Sequence, residues 1–161
     1  MHGTGQAGGA GDRIGERDRA AALRLARAGY DVAINYSRSE DTARQTLAEL
    51  ESLGGRHLAL RADVSDDEAV ASLAAAVGET YGRLDALVNN AGVTSQTPPD
   101  DLDGVDLAEW DRVFAVNVRG LFQVTRACAP RLRAAGGCVV NVASIVGLRP
   151  GPQPVAYAAT T

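Results

Sequence analysis

Four groups of residues in this sequence have the types and spacing to do chemistry on a phosphorylated ligand. Thr4-Gly5-Gln6-Ala7-Gly8-Gly9-Ala10-Gly11 is a glycine run through which a backbone could approach a pyrophosphate, its charge met by the amides of a helix start. The same run reads equally well as a flexible tail, and only Met1, His2 and Gly3 precede it, so the strand that should deliver the loop is expected to be missing. Asp63-Val64 and Asn89-Asn90-Ala91-Gly92 each follow an apolar run. A carboxylate at a strand end can receive an adenine amino group, and Asn amides can lock neighbouring loops, although both residue types also make ordinary turns. The fourth group is Asn117, Ser144 and Tyr157. Asn117 interrupts an apolar helical stripe, where a buried amide needs partners. Ser144 comes just after the last strand-like run, and Tyr157 follows it by thirteen residues.

The elements that must position these groups alternate. AAALRLARAG, from Ala20, reads as helix with Gly29 at its exit, and Asp31 to Tyr36 as a short strand. Ser39 is placed to cap a helix through Leu53, with Ala43, Leu47 and Leu50 on one face. His57 to Ala62 supplies the next strand, and Ser65 with Glu68 has the spacing of a capping box for a helix to about Tyr81. Leu84 to Val88 is the fourth strand. Asp106 and Glu109 repeat the capping spacing and open a long helix to about Arg133, its stripe running through Leu107, Trp110, Phe114, Leu121 and Val124. Cys138 to Val142 then reads as a buried strand. Strand and helix in this rhythm, joined by short turns, call for an α/β fold with a parallel sheet covered on both faces. One domain spanning 1–161 is expected, with residues 1–18 Gly-rich and a candidate for disorder.

Composition narrows the function classes. The 161 residues are 45% hydrophobic and 22% charged, which suits a folded globular chain. A net charge of -4 argues against a general nucleic-acid binder. The longest uncharged apolar-leaning stretch, Ala134 to Leu148, is too short and polar to span a membrane, and no secretory signal opens the chain, so a cytoplasmic protein is expected. Cys128 and Cys138 make no metal or disulfide pattern and are expected to be reduced core residues. The acidic loop Asp100 to Asp111 reads as a solvated rim, with no metal expected.

Taken in order, T-G-x-x-x-G-x-G at Thr4, D-V at Asp63, N-N-A-G at Asn89, N-V-x-G at Asn117, V-N-V-A-S at Val140 and the Tyr at Tyr157 resemble the short-chain dehydrogenase/reductase family, in particular its 3-oxoacyl-acyl-carrier-protein reductase group. The resemblance implies a Rossmann-like doubly wound parallel sheet and hydride transfer between NAD(P)H and a small-molecule ketone or secondary alcohol. It implies catalytic roles for Ser144, which polarises the substrate carbonyl, Tyr157, the proton donor, and Asn117, which supports the proton relay. Gly5, Gly9, Gly11, Arg38, Asp63, Val64, Asn90, Ala91 and Gly92 are its cofactor-binding counterparts. Arg38, just past the second strand, favours a 2′-phosphate and hence NADP over NAD. Pairing of subunits through the long helix 106–133 is also implied. The alternative is a nucleotide-binding or interaction module without chemistry.

Two departures stand out. Where the family has a Lys four residues after the Tyr, this sequence has Thr161, and all 16 of its basic residues are Arg. Bringing a tyrosine from a pKa near 10 to near 7 takes about 4 kcal/mol of preferential phenolate stabilisation, whereas a neutral hydroxyl offers about 1 kcal/mol. Catalysis is therefore expected to be impaired by about 100-fold or more. The second departure is length. The sheet is expected to be incomplete, lacking its first strand and its C-terminal strands, as in a member truncated at both ends, with about seven extra residues between Gly11 and Leu23.

Overall fold

The computed structural model describes residues 2–6, 15–149 and 151–161. Five parallel strands form one sheet: β1 (His2–Gln6), β2 (Asp31–Tyr36), β3 (Leu58–Arg61), β4 (Ala86–Asn89) and β5 (Cys138–Asn141), in the order β3-β2-β1-β4-β5. Helices α1 (Glu16–Arg27) and α2 (Glu40–Glu51) cover one face, where Leu23, Ala26, Ala43 and Leu50 pack with Val32 and Ile34 of β2. On the other face, α3 (Asp67–Tyr81) and α5 (Leu121–Ala135) bring Val70, Val77, Val124, Cys128 and Leu132 onto Ala33 and Leu87. Apolar burial on both faces of a parallel sheet is what the alternating sequence calls for, so the doubly wound fold is as expected.

The expectation of a missing first strand is overturned at the centre of the sheet. His2–Gln6 occupies that place, pairing with β2 from His2 against Asp31 to Gln6 against Asn35, and with β4 through Gly3, Thr4 and Gly5. Ladder hydrogen bonds belong to the backbone, so a glycine-rich segment can still pair when strands on both sides hold it. Gly9 and Gly11 lie outside the described residues.

Several boundaries and caps differ by a residue or two, each for a local reason. Ser39 precedes α2 without a side-chain cap bond, and the helix ends at Glu51. The cap of α3 is Asp66, whose Oδ1 accepts from the amides of Glu68 at 2.9 Å and Ala69 at 3.1 Å. Ser65 is not a cap because its hydroxyl donates to Asp63 Oδ1 at 2.6 Å. Asp106 does cap the next helix, through the Ala108 amide, but Glu109 accepts from the Gln96 amide instead of closing a box.

The expected single long helix is interrupted. α4 (Leu107–Phe114) passes into a π-helical turn, Ala115–Gly120, before α5. A π turn admits an extra residue and shifts the buried face, so Val113 before it and Gly120, Val124, Cys128 and Leu132 after it point inward. Leu107, the first residue of α4, is 74% exposed. β5 departs further: its four residues are all exposed, and among the described residues β4 is the strand it pairs with. Cys138, expected in the core, is exposed with it, whereas Cys128 is buried.

Candidate functional site

The strands all run the same way, so their C-terminal ends share one edge, the edge where open α/β sheets bind ligands. Gly5 lies in β1 on this edge, and Asn90, Ala91 and Gly92 continue directly from β4. Asp63 and Val64 follow β3, and Ser144 comes after β5.

Asn117 sits inside the π turn, and its side chain is fully engaged. Oδ1 accepts from the Val93 amide at 2.8 Å, while Nδ2 donates to the Val93 carbonyl at 3.0 Å and to Thr160 Oγ1 at 2.8 Å. Thr160 Oγ1 in turn donates to the Tyr157 carbonyl at 2.9 Å. One amide thus joins the loop after β4 to the helix of Tyr157, α6 (Val155–Ala159). The need for partners read from the sequence is met by a backbone pair and a threonine hydroxyl.

Ser144 opens a single 3-10 turn, Ile145–Gly147, its Oγ accepting from the Val146 amide at 3.3 Å. That turn packs against α6, and α6 also packs against α4. Gly147 allows the approach: a Cβ there would run into the Thr161 carbonyl. The loop of Ser144, the amide of Asn117 and the helix of Tyr157 therefore converge at one end of the sheet. Thr161 donates its hydroxyl to the Ala158 carbonyl at 3.1 Å.

The other residues divide into fixing groups and a recess. Asn89 is buried, and its Nδ2 donates to Thr125 Oγ1 at 3.0 Å and Asn141 Oδ1 at 2.9 Å, tying β4 to α5 and β5. Its Oδ1 lacks a partner among the described residues. Asn90 Nδ2 donates to Asp18 in the first turn of α1, and the second oxygen of Asp18 accepts from the Gly15 amide at 2.9 Å. Val64 lies against Gly120, where an added Cβ would come within 2.7 Å of Val64 Cγ2, so the π turn can seat on the loop after β3 only with glycine there. At the ends of β2 and β3 a surface recess of about 310 Å³ is lined by Ser37, Arg38, Arg61, Asp63 and Asp66. Asp63 turns Oδ1 toward the Ser65 amide, 2.9 Å away.

Reading the sequence missed Asp18, Arg61, Val93 and Thr160. Thr160 had a usable signal, a hydroxyl three residues after the Tyr. Arg61 was an ordinary strand-end residue until the fold set it beside Arg38.

Among the described residues no helix is long and apolar enough to cross a membrane. The family model for short chain dehydrogenases matches residues 4–160. A 3-oxoacyl-acyl-carrier-protein reductase of Staphylococcus aureus is 36% identical over 143 residues, covering 88% of this chain and 57% of that protein. Among solved structures, a short chain dehydrogenase from Burkholderia cenocepacia in complex with NADP superposes with a TM-score of 0.87 at 35% identity, over 99% of this chain and 62% of that one. A xylitol dehydrogenase bound to NAD+ reaches a TM-score of 0.86 at 28% identity, over 99% and 59%. The chain thus spans about 60% of the length of the proteins it matches.

Proposed function

The chain belongs to the short-chain dehydrogenase family, a family of NAD(P)-dependent oxidoreductases, and on that premise we propose that it binds NADP in preference to NAD and serves the reduction of a ketone or the reverse oxidation of a secondary alcohol. The observation that carries the reading is the Asn117 side chain, hydrogen-bonded at once to the loop after β4 and to the helix of Tyr157.

The residues at the strand ends fit a dinucleotide. The recess with Arg38 at its rim suits the adenosine end, and Val64 is held by Gly120 where a base would rest. Asp63, Val64, Asn90, Ala91 and Gly92, with Gly5, Gly9 and Gly11, would line the rest. When bound, the nicotinamide supplies or accepts a hydride. The Ser144 hydroxyl would donate a hydrogen bond to the substrate oxygen, and the Tyr157 hydroxyl would give or take the proton there. Asn117 would support the relay behind Tyr157 by holding the two segments in register.

Thr161 sets the expected rate. Its hydroxyl is directed at the Ala158 carbonyl, and no lysine exists in the sequence to stabilise a phenolate. Proton transfer through a phenol without that cation is slowed by about 100-fold or more. The same residue favours the second reading, a nucleotide-binding module without turnover. The helix interrupted by the π turn also leaves Leu107, Val118 and Phe122 exposed, which supports pairing of two copies along 106–133. The unpatterned cysteines accord with a cytosolic setting.

Titration of the purified chain with NADPH and NADH, followed by a panel of ketones, tests the reading. A raised melting temperature with NADPH and slow or absent ketone reduction are expected. No shift with either nucleotide would overturn the binding, and turnover at the usual rate of such enzymes would overturn the role given to Thr161.

A further inference from the structure

We propose that Arg61 is the second arm of an anion grip at the ends of β2 and β3, and that with Arg38 it selects a nucleotide phosphorylated on its adenosine ribose. The inference rests on the dinucleotide-binding reading above and adds a residue that decides which dinucleotide is taken. Arg61 ends β3 and pairs in register with Tyr36, the last residue of β2, so it stands next to Ser37 and Arg38. Its Nε donates to the Ser37 carbonyl at 3.1 Å. That bond uses one of the five N–H groups of the guanidinium and fixes its plane, leaving the terminal nitrogens to meet an anion.

Two carboxylates share the recess and could cancel this charge. Both are turned to donors of their own: Asp63 Oδ1 accepts from the amide and hydroxyl of Ser65 at 2.9 and 2.6 Å, and Asp66 Oδ1 caps α3. Among the described residues Arg61 has no carboxylate partner. The recess, about 310 Å³, is thus lined by two arginines, Arg61 at the end of β3 and Arg38 two residues past β2. A phosphate monoester carries a charge of about -1.5 to -2 with three acceptor oxygens, which two guanidiniums can share, whereas a ribose hydroxyl gives them nothing ionic to bind.

Calorimetric titration of the full chain with NADPH, NADH and adenosine 2′,5′-bisphosphate tests the assignment in the wild type, Arg61→Gln, Arg61→Lys and Arg133→Ala. Glutamine keeps a donor for the Ser37 carbonyl while removing the cation, and Arg133, exposed near the end of α5, controls for net charge. Arg61→Gln is expected to weaken NADPH and the bisphosphate by about tenfold and NADH by less than about twofold, with Arg61→Lys between, because a point charge replaces a fork. Arg133→Ala should leave all three unchanged. Equal losses for NADPH and NADH, or no loss, would overturn the role of Arg61. If the wild type takes NADH as tightly as NADPH, the grip fails while the dinucleotide reading stands. If it takes neither nucleotide, that reading fails and the grip with it.

Discussion

β2 and β5 are both short, apolar and parallel, yet they are held in different ways. In β2, Val32, Ala33 and Ile34 are at most 2% exposed, closed between β1 and β3 and under α1 and α2. In β5, Val139 is 39% and Val140 49% exposed, with β4 as the one strand paired to it among the described residues. Apolar composition does not set burial; neighbours do. The contrast extends to the two halves of the candidate site. The recess with Arg38 and Arg61 stands at the end of a sealed strand. Ser144 and Tyr157 stand beyond the open one, where Asn89 and Asn117 join segments by hydrogen bonds. The recess is thus carried by core packing, and the segments of Ser144 and Tyr157 by a few amides.

Single truncations should separate the halves. Ile34→Ala removes a fully packed side chain and is expected to cost about 3 kcal/mol in denaturant unfolding, against less than about 1 kcal/mol for Val140→Ala. Equal losses would erase the contrast. Asn117→Ala should come next, at about 2 kcal/mol, since it leaves the Val93 amide and carbonyl and the Thr160 hydroxyl to find new partners. Hydrogen exchange should then rise at Val93 and along α6 and stay unchanged in β2. Uniform exchange would show that the amide does not join the segments locally.

The smallest effect concerns the thiols. Cys138 on open β5 should react with a thiol reagent in the native protein, whereas Cys128, in the core beneath β4, should react only on unfolding. Burial pushes the Cys128 thiol up. A folded-state value above the unfolded one means the fold favours the protonated thiol. That stabilisation is complete below about pH 8.5 and is lost as pH rises through the higher folded value. Cys128→Ala should flatten the decline in melting temperature over this range; an unchanged slope would place its origin elsewhere.

Much of this division was legible from residue patterns. The strand 31–36 is found where its apolar run predicts, because it lies in the middle of the alternation and every neighbour it needs is encoded nearby. Asn117 stood out as an amide on an apolar stripe. Three features escaped for physical reasons. β1 is glycine-rich, so its side chains announce nothing and its pairing is visible only once β2 and β4 flank it. The π turn at Ala115–Gly120 leaves no mark on helical periodicity beyond a shift of face, and Leu107 reads as buried although it is the exposed first residue of α4. The exposure of β5 depends on what pairs with it, and four apolar-leaning residues look alike at an edge or a centre. Arg61 belongs here too, since only the register of β3 on β2 brings it beside Arg38.

The claim on which the functional account depends is that residue 161 lacks the cation that would ready Tyr157 for proton transfer. The direct measurement is NADPH oxidation with a panel of ketones by the wild type and by Thr161→Lys, each at saturating nucleotide. The account predicts a rise of about 100-fold in the variant. A wild type that already turns over briskly, or a Thr161→Lys variant that gains nothing, would contradict it.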